Sequence, residues 1–429
     1  MRKWASVVGV AMLSGAMLAG CGGKNDAQQE TQGSGAPAKE VTIKILNFKV
    51  EIAEQFNKLK ESYEQSHPGI KLQIDTILGG DDYNTQLKAR FASGEMPDIF
   101  NNEGYTNLNA WAEYLEDLSD QPWVKDEVEL AKEPMTRDGK VYGMPVGLEG
   151  LGFLYNKDMF AKAGITELPK TLSQLEEVAK KLEAAGMQPF VNTFDNWFGL
   201  GFHSANNAFA KQPDPNAFIQ GLNDGTAKFT DNGIFKDWVK LFDLVIKYGN
   251  KNALTTDYNN ASTLFATGKG AINMGGNWLQ PVLDKLTPGM NVGIMPMPIN
   301  EDAALNDKLF VGPANNWVIY NKSPVKQEAK EFLNWLVSSD EGQRYLTKEF
   351  KFIPAFTNIQ FDPADLGALG AEVKKYIDDG KILGWHWAKY PDGVAQEFGT
   401  SMQKHIAGKI DGDQMLAEFQ AAWDKMKTR

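Results

Sequence analysis

The sequence predicts an α/β protein of two lobes, and three observations carry the expectation. Segments that alternate apolar and polar residues, as strands do, are followed repeatedly by segments whose apolar residues recur every three or four positions, as in helices. Strands alternating with helices imply parallel pairing in a sheet covered by helices. The chain has 429 residues, too many for one ordinary domain, so two lobes are expected.

The elements follow in order. Val41–Leu46 alternates like a strand, and Ile52, Phe56, Leu59 and Tyr63 then recur at helical spacing until His67-Pro68-Gly69 stops them. Ile70–Ile74 alternates again, and Tyr83, Leu87 and Phe91 mark a second helix closed by Gly94 and Pro97. Asp98-Ile99-Phe100 reads as a short buried strand. Downstream, Gly152–Tyr155, Pro189–Val191 and Ala271–Met274 read as strands. Thr171 with Gln174 reads as a capping box opening a helix. Further helical stripes fall at Ile234–Val245, after Ser323-Pro324, and from Asp411 to Met426. These stripes are read as core rather than site.

The amino terminus speaks for export. Met1, Arg2 and Lys3 precede an apolar run, Trp4–Leu18, that suits a signal-peptide core and is too short to span a bilayer. It ends in Leu18-Ala19-Gly20-Cys21, which resembles the bacterial lipobox. Residues 1–20 are therefore expected to be a lipoprotein signal peptide, with Cys21 carrying the lipid on the outer face of the cell membrane. Cys21 is the one cysteine of the chain, so no internal disulfide is possible. Residues 21–40 hold no large apolar side chain and are expected to be a flexible tether.

Charge and motifs exclude several functions. The formal net charge is −11, and an acidic protein is not built to hold phosphate backbones, so no nucleic-acid partner is expected. Four histidines are scattered without ligand spacing, and no Gly-x-Ser-x-Gly nucleophile elbow occurs. No metal, cofactor or catalytic residue is expected.

The strand ends carry the informative chemistry, because ligands of open α/β sheets bind beyond the carboxyl ends of the strands. Asn47 follows the first strand, and Asn101, Asn102 and Glu103 follow the third. Asp195, Asn196 and Trp197 follow Phe190-Val191, and Gly276, Asn277 and Trp278 follow Ile272–Met274. Planar amides and carboxylates can take two neighbouring hydroxyls, and an indole covers an apolar C–H face. That mixture suits a carbohydrate. Each Asx residue taken alone can equally make a turn or cap a helix.

Gly94–Phe100, Gly143–Val146 with Phe153–Asp158, Phe265–Ala271 with Gly276–Trp278, and Ala329–Leu333 together resemble, in order and spacing, the extracellular solute-binding proteins of family 1, the group that includes maltose-binding protein. The resemblance implies a periplasmic-binding-protein-like fold: two discontinuous α/β lobes joined by a hinge, with the ligand cleft between them. It implies crossings near Val146–Gly150, Met295–Pro298 and Phe356–Pro363. The first lobe would hold residues 41–147 plus about 297–355, and the second 148–296 plus about 360–429. By the same resemblance Glu149 matches a cleft carboxylate, Asp195, Asn196 and Trp197 a region giving an acid and a stacking aromatic, and Trp385 or Trp387 another stacking aromatic. Phe48-Lys49 and Asn102-Glu103 depart from maltose-binding protein, which makes maltose doubtful as the ligand. The expected role is that of the binding subunit of an ABC importer, a monomer that captures a sugar or oligosaccharide by hinge closure and delivers it to the transmembrane permease subunits. The alternatives are a binder of a polyamine, phosphate ester or peptide, and a secreted glycan-active enzyme using two carboxylates.

Overall fold

The computed structural model describes residues 40–77 and 83–427. The expected signal peptide, tether and lipidated Cys21 lie outside the described residues, save Glu40.

Thirteen strands are described: β1 Val41–Asn47, β2 Ile70–Thr76, β3 Ile99–Asn102, β4 Thr136–Arg137, β5 Lys140–Val141, β6 Met144–Pro145, β7 Leu148–Asn156, β8 Phe190–Val191, β9 Ile272–Gly276, β10 Val292–Met295, β11 Leu309–Pro313, β12 Asn316–Ile319 and β13 Ile382–Leu383. One sheet runs β2-β1-β3-β12-β6 and a second β13-β11-β7-β9-β8, with β10 also on β7. β4 and β5 form a separate hairpin.

In the first sheet β1 is buried on both faces, as a strand in a helix-covered sheet must be. Ile43 and Ile45 pack into one core with Phe56, Leu59 and Tyr63 of the helix Ala53–Ser66. Leu46 faces the opposite way, into a cluster with Leu87 and Trp111. In the second lobe, the helix Gly412–Met426 starts from Asp411 with both arms of a capping box formed, and its Phe419 stacks on Phe398 at 4.0 Å. At Thr171 only one arm forms: Thr171 caps Gln174 N, while the Gln174 side chain reaches Lys170 N instead.

Parallel pairing holds only in part. β1 runs parallel to β2 and β3, and β8 to β9. β7 is antiparallel to β9, β10 and β11, and β12 is antiparallel to β3 and β6. The antiparallel strands include those by which the chain passes between sheets, and a strand entering from the other lobe runs against its neighbours.

The chain changes sheet between Pro145 and Leu148, and again between Pro313 and Asn316. The second passage was expected near Met295–Pro298. It comes later because β11 pairs with β7 over Leu309–Pro313 before the chain leaves, so residues up to Pro313 belong to the second sheet. The passages lie side by side. Val146 N donates to Asn315 O and Ala314 N to Gly147 O, both at 2.9 Å, and Leu148 N donates to Ile353 O at 2.8 Å.

Ahead of β11, the carbonyl of Met297 accepts from Lys211 Nζ at 2.5 Å and from Asn207 Nδ2 at 3.3 Å. Lys211 is 2% exposed and has no carboxylate partner among the described residues. Burial depresses its ammonium to about 7. Below that pH the lysine is charged in both folded and unfolded chains. Above it the folded lysine loses its proton while the unfolded one, titrating near 10.5, keeps it, so stability rises with pH across this window. Urea unfolding of wild type should therefore gain on the order of 2 kcal/mol between pH 7 and pH 9 relative to Lys211→Met; parallel pH profiles for the two proteins would contradict it.

Candidate ligand-binding cleft

Between the sheets lies a cavity of about 360 Å³, within the range of small-molecule clefts. Residues following β1 and β3 line it from the first lobe, and β7, the 193–203 segment, Trp278 and the 384–389 segment from the second.

The floor is an ion pair between lobes. Lys49 Nζ lies 2.5 Å from Glu149 Oε1, and the two side chains are only 6% and 3% exposed. Each has a local reason to be there. Asn47, at the end of β1, folds back on its own turn: its Oδ1 accepts Lys49 N at 3.2 Å and its Nδ2 donates to Lys49 O at 3.0 Å. Glu149 is the second residue of β7 and pairs in register with Gly312 of β11. Burial pushes the Glu149 carboxyl upward, and Lys49 works against that shift. Beside the pair, Tyr258 OH donates to Glu51 Oε1 at 2.6 Å, a second bond from one lobe to the other.

Aromatic rings form the walls, and they do not all present faces. Trp385 and Trp387 stack on each other with centroids 4.4 Å apart. Gly312 packs against the other side of Trp385 so closely that a Cβ there would fall 2.9 Å from its Cγ and Cδ2. Trp387 also stacks on Phe202 at 6.0 Å. Trp278 is 7% exposed, with His203 against it at 5.3 Å. Trp197 is half-buried, and its ring neighbours Phe198 and Phe202 meet it edge-on, at 72° and 71°.

His203 sits on a π-helical turn, Gly199–Ser204, a feature that often marks functional sites. Burial, aided by the charge of Lys49, lowers its imidazole to about 3. Burial, aided by Lys389, lowers His386 to about 4. Both rings are neutral at physiological pH, so each offers one donor and one acceptor. Asn101 Nδ2, Trp385 Nε1 and His386 Nδ1, all on residues lining the cavity, have no hydrogen-bond partner among the described residues. Buried polar atoms are nearly always paired, so these three await a partner. Asn101 is oriented, because its Oδ1 accepts Phe48 N at 3.1 Å.

Of the residues singled out in the sequence, Glu103, Glu149, Asn196, Trp197, Trp278, Trp385 and Trp387 line the cavity. Four do not. Asn47 is consumed by the turn that carries Lys49. Asn102 is 1% exposed and accepts Gly104 N at 2.8 Å, holding a turn in which Gly104 has φ +85° and presses on Pro134. Asn277 is fully buried and accepts Gly150 N at 2.7 Å, fixing β7. Asp195 points to solvent and accepts Thr193 Oγ1 at 3.1 Å. For Asn47, Asn102 and Asp195 the short polar side chain serves a group two residues away, the ordinary behaviour of Asx residues after strands, while Asn277 reaches across to β7. Sequence reasoning missed Lys49, Glu51, Tyr258 and His203 as lining residues, and they carry no local signal. Asn101 stood in a strand-end cluster already recognised, and His386 stood between Trp385 and Trp387 in a segment the resemblance had already singled out.

Residues 48–343 match the model of the family described as bacterial extracellular solute-binding protein. A relative named multiple sugar-binding protein, from Streptococcus mutans, is 23% identical over 96% of this chain and 97% of its own length. The melibiose/raffinose/stachyose-binding protein MelE of Bacillus subtilis is 24% identical over 82% of each chain. Among solved structures, the binding protein RafE in complex with raffinose superposes with a TM-score of 0.78 at 22% identity, over 90% of this chain and all of that one. A maltose-bound MalE3 of T. maritima gives 0.75 at 19%, over 90% and 99%. With more than half its length matched by the family model, the chain belongs to the bacterial extracellular solute-binding proteins.

Proposed function

We propose that this chain is the binding subunit of an ABC importer and that its ligand is a neutral oligosaccharide. The observation that carries the reading is that two cleft carboxylates, Glu149 and Glu51, are already engaged within the protein. Glu149 is already paired with Lys49, Glu51 already accepts from Tyr258, and both histidines are uncharged. What remains is Glu103, Glu133 and Lys389 at the lining, with unpartnered nitrogens, amides and aromatic surface. A polyamine would find Glu149 and Glu51 already engaged and would meet Lys49 and Lys389. A sugar needs hydroxyl partners and an apolar face, which Trp197 and the walls beside it supply. The names of the relatives, which bind multiple sugars, raffinose or stachyose, support the same class.

Capture is by closure. Ligand contacts added on both lobes favour the closed arrangement by differential affinity. The closed protein then docks on the transmembrane permease subunits, as a monomer and with no chemistry done on the ligand. Export and lipid anchoring through Cys21, supported by the lipobox-like lead sequence, place it on the outer face of the cell membrane.

Titration calorimetry against raffinose, stachyose, maltotriose, chitotriose and spermidine tests the class. Heat with a neutral oligosaccharide and none with spermidine is expected; the reverse would discard the reading. Trp197→Ala should weaken binding of that sugar by about tenfold or more, since it removes a broad apolar face, whereas unchanged affinity would deny the ring a ligand role. Lys49→Met leaves Glu149 buried without its partner and should lower urea stability by roughly 3–5 kcal/mol. Adding Glu149→Gln should recover part of that loss; a single variant as stable as wild type would mean the pair is dispensable.

A further inference from the structure

The 384–389 segment has little regular structure of its own, yet it supplies Trp385, His386, Trp387 and Lys389 to the cavity. Something must hold it, because an irregular segment is a poor platform for recognition unless neighbouring groups fix it. The holding group is a residue with no place on the cavity surface. Asn206, on the helix Ala205–Ala210, is fully buried. Its Oδ1 accepts His386 N at 2.8 Å and its Nδ2 donates to Gly384 O at 3.3 Å. One amide thus spans the two peptides that flank Trp385, one on each side.

The clamp works with two other features. Gly312 of β11 presses on Trp385 from one side, at a spacing that only glycine allows. Trp387 covers the indole from the other. Asn206 also follows directly on the π-helical turn that carries Phe202 and His203, against which Trp387 packs at 6.0 and 5.5 Å. One helical run therefore carries part of the cleft wall and anchors the segment opposite it.

We propose that Asn206 is a positioning residue of the binding site: by clamping Gly384 and His386 it holds the stacked Trp385–Trp387 pair edge-on, so that Trp385 meets the ligand with its indole N–H rather than with a ring face. The proposal rests on the oligosaccharide reading for the identity of the ligand, but not for the clamp. Trp387 stacks on the indole, and Gly312 crowds its Cβ–Cγ–Cδ2 end, which restricts the ring surface left for stacking. Its Nε1 and the neighbouring His386 Nδ1 are buried and have no hydrogen-bond partner among the described residues. This chain therefore recognises its ligand with polar edges at a place where the family resemblance led us to expect a stacking aromatic.

The clamp has a signature that needs no ligand. Two indoles stacked at 4.4 Å should couple as an exciton pair in the circular dichroism of the indole bands. Trp385→Phe and Trp387→Phe should each abolish that couplet and so identify it. Asn206→Ala should lower its amplitude at least twofold and weaken binding of the tightest of the four test oligosaccharides about tenfold, the loss expected when two buried hydrogen bonds that orient a site are removed. Asn206→Asp, which is isosteric and keeps the acceptor for His386 N–H, should fall between, and it carries the test if the alanine variant does not fold. The indole N–H proton of Trp385, assigned by its absence in Trp385→Phe, should shift downfield when the oligosaccharide binds. A full couplet in both Asn206 variants would overturn the clamp. A lost couplet with unchanged affinity, or an unmoved Trp385 N–H resonance in a saturated complex, would overturn its role in recognition. If wild type binds no neutral oligosaccharide, the functional reading fails separately, and the couplet still decides the clamp.

Discussion

Three stretches of backbone lie side by side between the sheets, stitched by hydrogen bonds at Val146–Asn315, Ala314–Gly147 and Leu148–Ile353. Because each sheet is assembled from distant parts of the chain, these few bonds decide where one lobe stands relative to the other. Glu149 follows Leu148 directly, so its position is set by the junction rather than by either lobe's core. Lys49, by contrast, is set by β1 and the Asn47 turn. The buried pair they form joins a group fixed by the first sheet to one fixed at the junction. Rotation about a few residues of such a junction is the usual basis of domain closure.

The electrostatics of the cleft follow from that closeness. In a dry cavity an unpaired charge is expensive and a paired one is held firmly. The protein pairs Glu149 with Lys49, hydrogen-bonds Glu51 to Tyr258, and leaves His203 and His386 as neutral rings. The result is a site in which the charges of Lys49, Glu149 and Glu51 are spent on shaping the protein. Selectivity is left to amides, imidazoles, indole edges and the half-buried ring of Trp197. Such a site gives orientation through hydrogen bonds and affinity through apolar contact, the division that a polyhydroxylated ligand requires.

Much of the fold was legible because periodicity is local. The alternation of Val41–Leu46 and the stripe Met415, Phe419 and Trp423 are direct consequences of which faces are buried, and both appear where the pattern put them. Pairing direction was less legible, since nothing in β12 records that it arrives from the other lobe. The second crossing was misplaced for the same reason: β11 looks like any short apolar run, and only its partner β7 assigns it to a sheet. At the site, the tryptophans with Glu103 and Glu149 could be placed from sequence, because such side chains are seldom needed to finish a turn. Of the asparagines predicted as ligand-binding, only Asn196 lines the cavity. Asn47, Asn102 and Asn277 stand at strand ends as a ligand-binding amide would, and each is consumed by a backbone N–H nearby. Asn206 is the converse case, a helical residue with no motif around it whose significance depends on a segment 180 positions away.

The central claim is that the two lobes close on a neutral oligosaccharide. Small-angle X-ray scattering of the lipid-free protein, with and without a saturating oligosaccharide that calorimetry shows to bind, tests it most directly. The account predicts a smaller radius of gyration in the saturated complex than in the ligand-free protein. A radius that stays the same or grows on saturation would contradict it.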